Sequence, residues 1–260
     1  MTQGHVLITG ASEGMGREFA RIFAKEGYSL VLVARDRVRL TEIADELSAA
    51  YGTKVQTIPK DLSVSTAADE LKAELDQQGI TIEILINNAG SGIHGFFHEA
   101  DLKATEAMLA LNMVTPTSLT RLFLTSMVRN GHGKILNVSS TAAFQPGPLM
   151  ACYFASKAYV LSFTEALANE LSGSGVTITA FCPGPTRTQF QKRAKTEDIR
   201  ENAFSMDAVT AVRMAYEGLM KGKKFIVPGF FNKLLALMVR LSLKSVVIRV
   251  TRYLEEKKKK

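Results

Sequence analysis

Residues 153–160 read YFASKAYV, with Tyr153 and Lys157 four positions apart. On a helix of about 3.6 residues per turn, two such side chains lie about 40° apart on one face. A phenol with an ordinary pKa of about 10 is a poor base near neutrality, and an ammonium one turn along favours its phenolate and lowers that pKa. Such a pair moves a proton to or from a carbonyl or alcohol oxygen. The same spacing also suits a half-exposed aromatic beside a lysine whose stem snorkels to solvent. The rest of the chain has to decide between them.

A second constellation is TGASEGMG, residues 9–16, which leaves an apolar run and opens a helical pattern. Gly10, Gly14 and Gly16 have G-x-x-x-G-x-G spacing rather than the usual G-x-G-x-x-G. Glycines let the backbone turn tightly and approach a pyrophosphate, whose charge meets free N–H groups and the positive end of a helix. The stretch predicts a nucleotide-binding turn. The second apolar run ends at Val33, Ala34 and Arg35. NAD sites commonly place a carboxylate there for the ribose 2′-OH, whereas NADP sites need room and a cation. Ala34 in the acid's place with Arg35 next to it favours NADP(H), and Asp36, one register along, keeps NAD(H) open. Asp61, ending the third run, is read as the N-cap of a helix from about Ser63 and as an acceptor for an adenine amino group.

The elements that must hold these residues follow from periodicity. Apolar Val/Ile-rich runs at 5–9, 29–34, 54–58, 83–87, 134–138, 176–181 and 224–227 alternate with amphipathic segments such as GMGREFARIFAKEG and DRVRLTEIADELSAAY. Continuously apolar strands separated by helices predict one parallel sheet covered on both faces, a doubly wound α/β domain of seven strands. Ligands in such sheets bind beyond the strands' carboxyl ends, where the strand order reverses.

Composition narrows the function classes. The chain has 260 residues, 46% hydrophobic and 22% charged, which suits one domain with a substantial core. Cys152 and Cys182 form no CxxC or His/Cys cluster, so neither a disulfide framework nor a metal site is expected, and a reducing, cytoplasmic compartment is the default. The N-terminal MTQGHVLITG reads as strand rather than signal peptide. From Lys221 to Lys260 twelve Lys/Arg face two Glu, a charge of +10, and the overall +7 therefore leaves −3 on the first 220 residues. A nucleic-acid-binding body is not indicated.

Taken in order, TGASEGMG, NNAG (87–90), NVSST (137–141) and YFASK (153–157) resemble the short-chain dehydrogenase/reductase family, over about residues 4–190. The resemblance implies an extended Rossmann fold and NAD(P)(H)-dependent hydride transfer between an alcohol and a carbonyl. It makes Tyr153 the catalytic acid/base and Lys157 its partner. Ser140, with Ser139 one slip away, becomes the substrate-orienting serine, and Asn112 the helix asparagine that holds a water linking Lys157 to solvent. Asn87 supports the sheet in the NNAG segment. The implied cofactor-contacting set is Gly10, Ser12, Gly14, Met15, Gly16, Arg35, Asp61, Leu62, Asn88, Ala89, Gly90, Tyr153, Lys157, Pro183, Gly184, Thr186 and Thr188. The departure is Glu13, where many NADP-using members carry Lys or Arg.

The resemblance places substrate choice after the sixth strand and at the C-terminus. TRTQFQKRAKTED (186–198) reads as a short helix closing the site, and residues 1–228 as the cofactor-binding and catalytic domain. Residues 229–260 form a basic amphipathic extension in which Lys233, Arg240 and Lys244 share a helix face, and which lies on an anionic membrane surface, packs over the substrate mouth or packs against another subunit. No run of eighteen uncharged apolar residues exists, so a spanning helix is not expected. His94, in the loop after NNAG, either faces substrate or is solvated, the latter being the commoner state of a loop histidine, and His98 and His132 carry no partner signal. These features predict an NADPH-dependent reductase of a hydrophobic ketone, 3-oxoacyl or sterol-like, working as a homo-dimer or homo-tetramer at or near a cytoplasmic membrane face. The alternatives are an NAD-linked alcohol dehydrogenase and a non-catalytic scaffold docking through its basic tail.

Overall fold

Runs of β-branched and aliphatic residues bury well only when both faces of their sheet are covered. In the computed structural model, which describes residues 4–190, 194 and 205–257, they are covered so. The strands are β1 (His5–Thr9), β2 (Ser29–Ala34), β3 (Val55–Pro59), β4 (Ile82–Asn87), β5 (Gly133–Val138) and β6 (Val176–Phe181), with Phe225–Ile226 as the edge strand beside β6. All pair in parallel, in the order β3-β2-β1-β4-β5-β6 and then Phe225–Ile226. Successive residues of β1 serve opposite cores. Val6 and Ile8 pack with Phe19, Phe23 and Leu219 on one side, and Leu7 packs with Leu71, Leu119 and Phe123 on the other.

Parallel pairing needs crossovers, and helices supply them. They are α1 (Gly14–Lys25), α2 (Arg37–Tyr51), α3 (Ala67–Gln77), α4 (Leu102–Leu109), α5 (Thr115–Asn130) and α6 (Ala151–Glu170), followed by the helix Ala208–Met220. Between α4 and α5 one wider, π-type turn, Ala110–Val114, buries Asn112. β1 has β2 on one side and β4 on the other, so the order reverses beyond their carboxyl ends.

A buried amide ladder sets α6 against the sheet. Asn87 Nδ2 donates to Asn137 Oδ1 (2.8 Å) and to Thr120 Oγ1 (3.1 Å), and Asn137 Nδ2 donates to Thr164 Oγ1 (3.0 Å). In a low-dielectric core, such bonds are costly to leave half-made.

The C-terminal extension is helical, as two helices, Phe230–Leu241 and Lys244–Lys257. Ser242 separates them. Its backbone is extended (ψ 153°) and its hydroxyl donates to the Met238 carbonyl at 2.7 Å, a local alternative to the next helical bond. Lys244 therefore starts a new helix and does not share the face of Lys233 and Arg240. Among the described residues no helix is long and apolar enough to cross a membrane.

Candidate active site

The turn after β1 is shaped by contacts that leave no room for a side chain. Gly10 and Gly14 have φ of +65° and +52°, a region that favours glycine. A Cβ on Gly16 would stand 2.1 Å from the Gly10 carbonyl oxygen, and one on Gly10 2.9 Å from Ala89 Cα. Asn88 holds this turn, donating from Nδ2 to the carbonyls of Thr9 (2.9 Å) and Gly10 (3.2 Å). Thr9 answers from the other strand, its hydroxyl accepting from the backbone N–H groups of Asn88 and Ala89, both at 3.0 Å. The two strand exits on either side of the reversal are thus cross-tied. Thr9 opens the TGASEGMG motif but was assigned no role there, because its role lies in tertiary pairing. The open backbone at the start of α1, the crowded glycines and the space above them fit a dinucleotide pyrophosphate.

One cavity of about 1010 Å³ runs over this turn and on to α6. Gly10, Ser12, Gly14, Met15, Arg35, Asp61, Leu62, Asn88, Ala89 and Gly90 line one part of it. Ser140, Tyr153, Lys157, Pro183, Gly184, Thr186 and Thr188 line the continuation. Gly16 and Asn112 sit behind the wall. Thr188 lies against the glycine turn, 3.2 Å from where a Gly14 Cβ would be.

Within the cavity Lys157 donates from Nζ to the Val138 carbonyl at 3.0 Å, and Nζ lies 5.8 Å from the Tyr153 ring centroid. Burial pushes the Lys157 ammonium down to about 8. The lysine, acting with the positive ring of an oxidised nicotinamide, was expected to lower the phenol; within the protein's own groups the balance runs the other way. Burial pushes the phenol up to about 12, a hydrogen bond from Ser140 draws it part of the way back, and the charge of Glu255 adds to the rise. Ser139 and Ser140 separate cleanly. The Ser139 hydroxyl donates to the Lys157 carbonyl at 2.7 Å and is buried, whereas Ser140 faces the tyrosine. Asn112 gives both amide hydrogens to Ser91 O (2.9 Å) and Ser156 Oγ (3.0 Å), and its Oδ1 accepts from Ser91 N at 3.0 Å. Its side chain therefore fixes the loop beside Lys157, and the expected water-holding role does not use those amide hydrogens.

At the β2 exit the register is plain: Ala34 ends the strand, Arg35 follows, and Asp36 caps α2 by accepting from Arg39 N at 3.0 Å. Arg39 and Lys60 line the cavity with Arg35, and so does Glu13. Asp61 does not cap a helix. α3 begins at Ala67, and Asp61 Oδ1 instead accepts from the Ser63 backbone (2.9 Å) and hydroxyl (2.7 Å). Burial works to raise its carboxyl, yet those bonds and the Arg35 charge hold it below its usual value.

Beyond Tyr153 the cavity turns apolar. Met150, Phe154, Phe190, Leu235 and Leu254 line it, and the Phe190 ring centroid lies 5.5 Å from that of Tyr153. Met150 follows Leu149, whose φ of 68° is the sole positive value among the described non-glycine residues. The segments holding Phe190, Leu235 and Leu254 were expected near the substrate mouth, but which of their residues, and Met150 and Phe154 with them, form the wall has no shared spacing to report it. His94 is corrected too. Its side chain is 4% exposed, and Nε2 lies 3.1 Å from the Glu255 backbone oxygen and 3.9 Å from Oε2, because the last helix covers its loop. The expected closing helix over 186–198 falls, beyond Phe190 and apart from Ala194, outside the described residues. Thr186–Arg187 within it pairs as a short strand with Met206–Asp207. Among the described residues no cluster suited to a metal ion occurs.

Comparison with known proteins converges on one family. The sequence model for short chain dehydrogenase matches residues 4–199. The chain is 33% identical over 224 residues to ketoacyl reductase HetN of Nostoc sp., covering 86% of this chain and 76% of that protein. It is 31% identical to the very-long-chain 3-oxoacyl-CoA reductase of Pyrenophora tritici-repentis, over 84% of this chain, and spans only 65% of that relative's length. The short-chain dehydrogenase from Sphingobium yanoikuyae, solved in complex with NADPH, superposes with a TM-score of 0.82 at 33% identity, covering 92% of this chain and 94% of that one. The chain belongs to the short-chain dehydrogenase/reductase family of nicotinamide-nucleotide-dependent oxidoreductases.

Proposed function

We propose that the protein is an NADPH-dependent reductase of hydrophobic ketones, converting a 3-oxoacyl or sterol-like substrate to the alcohol. The observation that carries this reading is the order of surfaces in one cavity: glycine turn and Arg35, then Ser140, Tyr153 and Lys157, then an apolar wall. Similarity to reductases named for ketoacyl and very-long-chain 3-oxoacyl substrates supports it.

NADPH, when bound, supplies hydride to the carbonyl carbon. Tyr153 supplies the proton to the carbonyl oxygen, and a phenol held near 12 is fully protonated at neutrality, as an acid must be. Ser140 donates a hydrogen bond to that oxygen and fixes its direction. Lys157, near 8, carries a proton available to the phenolate left behind. Met150, Phe154 and Phe190 hold the apolar part of the substrate and keep water from the reacting carbon.

Arg35 would hold the 2′-phosphate; Arg39 and Lys60, which pair with Glu42 and Glu70, line the same end, as does Asp36, whose Oδ1 caps α2. A second reading, an NAD-linked alcohol dehydrogenase, is favoured by Glu13, whose charge lines the same cavity. Titration of NADPH and NADH into the protein and into Arg35→Ala separates the two. At least about tenfold preference for NADPH, lost in the variant, is the expected result, since one charge-assisted bond of about 1.5–3 kcal/mol is at stake. Equal binding, or preference for NADH, overturns the assignment to NADPH.

A further inference from the structure

The two C-terminal helices leave a large apolar surface uncovered. In Phe230–Leu241 only Ala236 is buried. Phe230, Phe231, Leu234, Leu237, Met238 and Leu241 are 44–79% exposed. At about 100° per residue those six fall within an arc of roughly 120°, with Lys233 and Arg240 along one edge. The following helix adds Val246, Val250 and Tyr253, each at least 50% exposed, beside Arg249. An exposed apolar patch of this extent marks a contact surface.

The inner side of the same pair belongs to the active site. Leu235, Leu254 and Glu255 line the cavity. Arg240 lies over the Phe144 ring at 5.5 Å and Arg252 over Phe96 at 5.7 Å, holding the pair down.

We infer that this helix pair docks the protein on an anionic lipid bilayer, lying in its surface, so that one structure is both membrane contact and cavity wall. Charge selects the occupant. Twelve Lys/Arg against two Glu from Lys221 onward face a body of −3, and an anionic surface attracts the first while leaving the second in water. A second copy meeting this face about a two-fold axis would bring the same excess of cations to both sides of the seam. Neither helix is long and apolar enough to span, and a surface position satisfies both the apolar arc and its cationic edge. Docking agrees with the hydrophobic substrate proposed above and rests on that reading only for what enters the cavity.

The test uses the full chain and no turnover, so it fails separately from the reductase reading. Protein is sedimented with vesicles of phosphatidylcholine alone, or with one part in about three phosphatidylglycerol, at low salt and at roughly 1 M, where the Debye length falls to about 3 Å. Binding is expected to the anionic vesicles only and to be lost at high salt. It should weaken about fivefold for each of Lys233→Gln and Arg249→Gln. Phe230→Asp with Leu241→Asp should abolish it while nicotinamide-nucleotide binding, the check on folding, is retained. No sedimentation of the wild-type chain with anionic vesicles at low salt overturns the inference. So does a dimer by light scattering that Phe230→Asp with Leu241→Asp splits while vesicle binding is absent, which would assign the face to a second copy.

Discussion

At α6, burial moves two side chains in opposite directions, the Tyr153 phenol up to about 12 and the Lys157 ammonium down to about 8. Both shifts disfavour the charged form, as desolvation requires. Tyr153→Phe keeps the ring and removes the proton, so ketone reduction is expected to fall about 10²–10⁴-fold in kcat/KM, far more than NADPH affinity changes. Activity surviving in that variant would remove Tyr153 from the chemistry. For Lys157 two readouts diverge. Its folded pKa lies below its unfolded value of 10.5, so between about pH 8 and 10.5 the unfolded chain binds more protons and stability rises with pH; below 8 the whole cost of burying the charge is present. That cost is about 3 kcal/mol, against which Lys157→Met sets about 1–3 kcal/mol for leaving the buried Val138 carbonyl without this donor. Lys157→Met should therefore abolish reduction without lowering the melting temperature, raising it by about 2–4 °C per kcal/mol gained. In the wild type, reduction should decline above about pH 8 as the lysine loses its proton. A flat profile through pH 9 would separate Lys157 from proton supply.

Each strand exit matters because a neighbouring element fills the space beside it. A methyl group on Gly16 would sit 2.1 Å from backbone, the Gly10 carbonyl, and 2.7 Å from Asn88 Nδ2, so no side-chain rotation relieves it. Gly16→Ala is expected to weaken nucleotide binding at least about tenfold, with an overpacking cost of about 1–3 kcal/mol in thermal or denaturant unfolding. Gly27→Ala, where nothing lies within 4 Å, is the control for glycine replacement as such, although its φ of +84° brings strain of its own. Elements of this kind were legible in the sequence because their signals are local. β1, β2 and β6 occupy the predicted 5–9, 29–34 and 176–181, since continuous apolar runs mark buried parallel strands without knowledge of their partners. Asp61 was misread because its local pattern suits an N-cap and an Asx-type turn equally, and where α3 begins decides between them. Ser139 and Ser140 were separable only by which one faces Lys157's backbone, a matter of tertiary position.

The cavity is assembled from positions as far apart as Gly10 and Glu255, and its two ends became legible to different degrees for that reason. The nucleotide end follows strand exits in order, so spacing along the chain reports it. Phe190, Leu235 and Leu254 converge only because the last helices fold back across the mouth, which leaves no periodic trace. Their placement argues that the C-terminal helices set substrate length, whereas α6 and β5 set the chemistry. On the proposed reading, Leu235→Ala with Leu254→Ala removes apolar surface that a long acyl chain would reach and a short one would not. Both side chains are about half exposed, at 52% and 54%, so roughly 1 kcal/mol each is at stake rather than the full burial of a leucine. KM for a 3-oxoacyl thioester of about twelve carbons should rise on the order of tenfold or more with kcat held, while a four-carbon substrate keeps both constants. Loss of kcat at both lengths would instead make the helices part of the catalytic geometry, and equal KM at both would place the acyl chain on another wall.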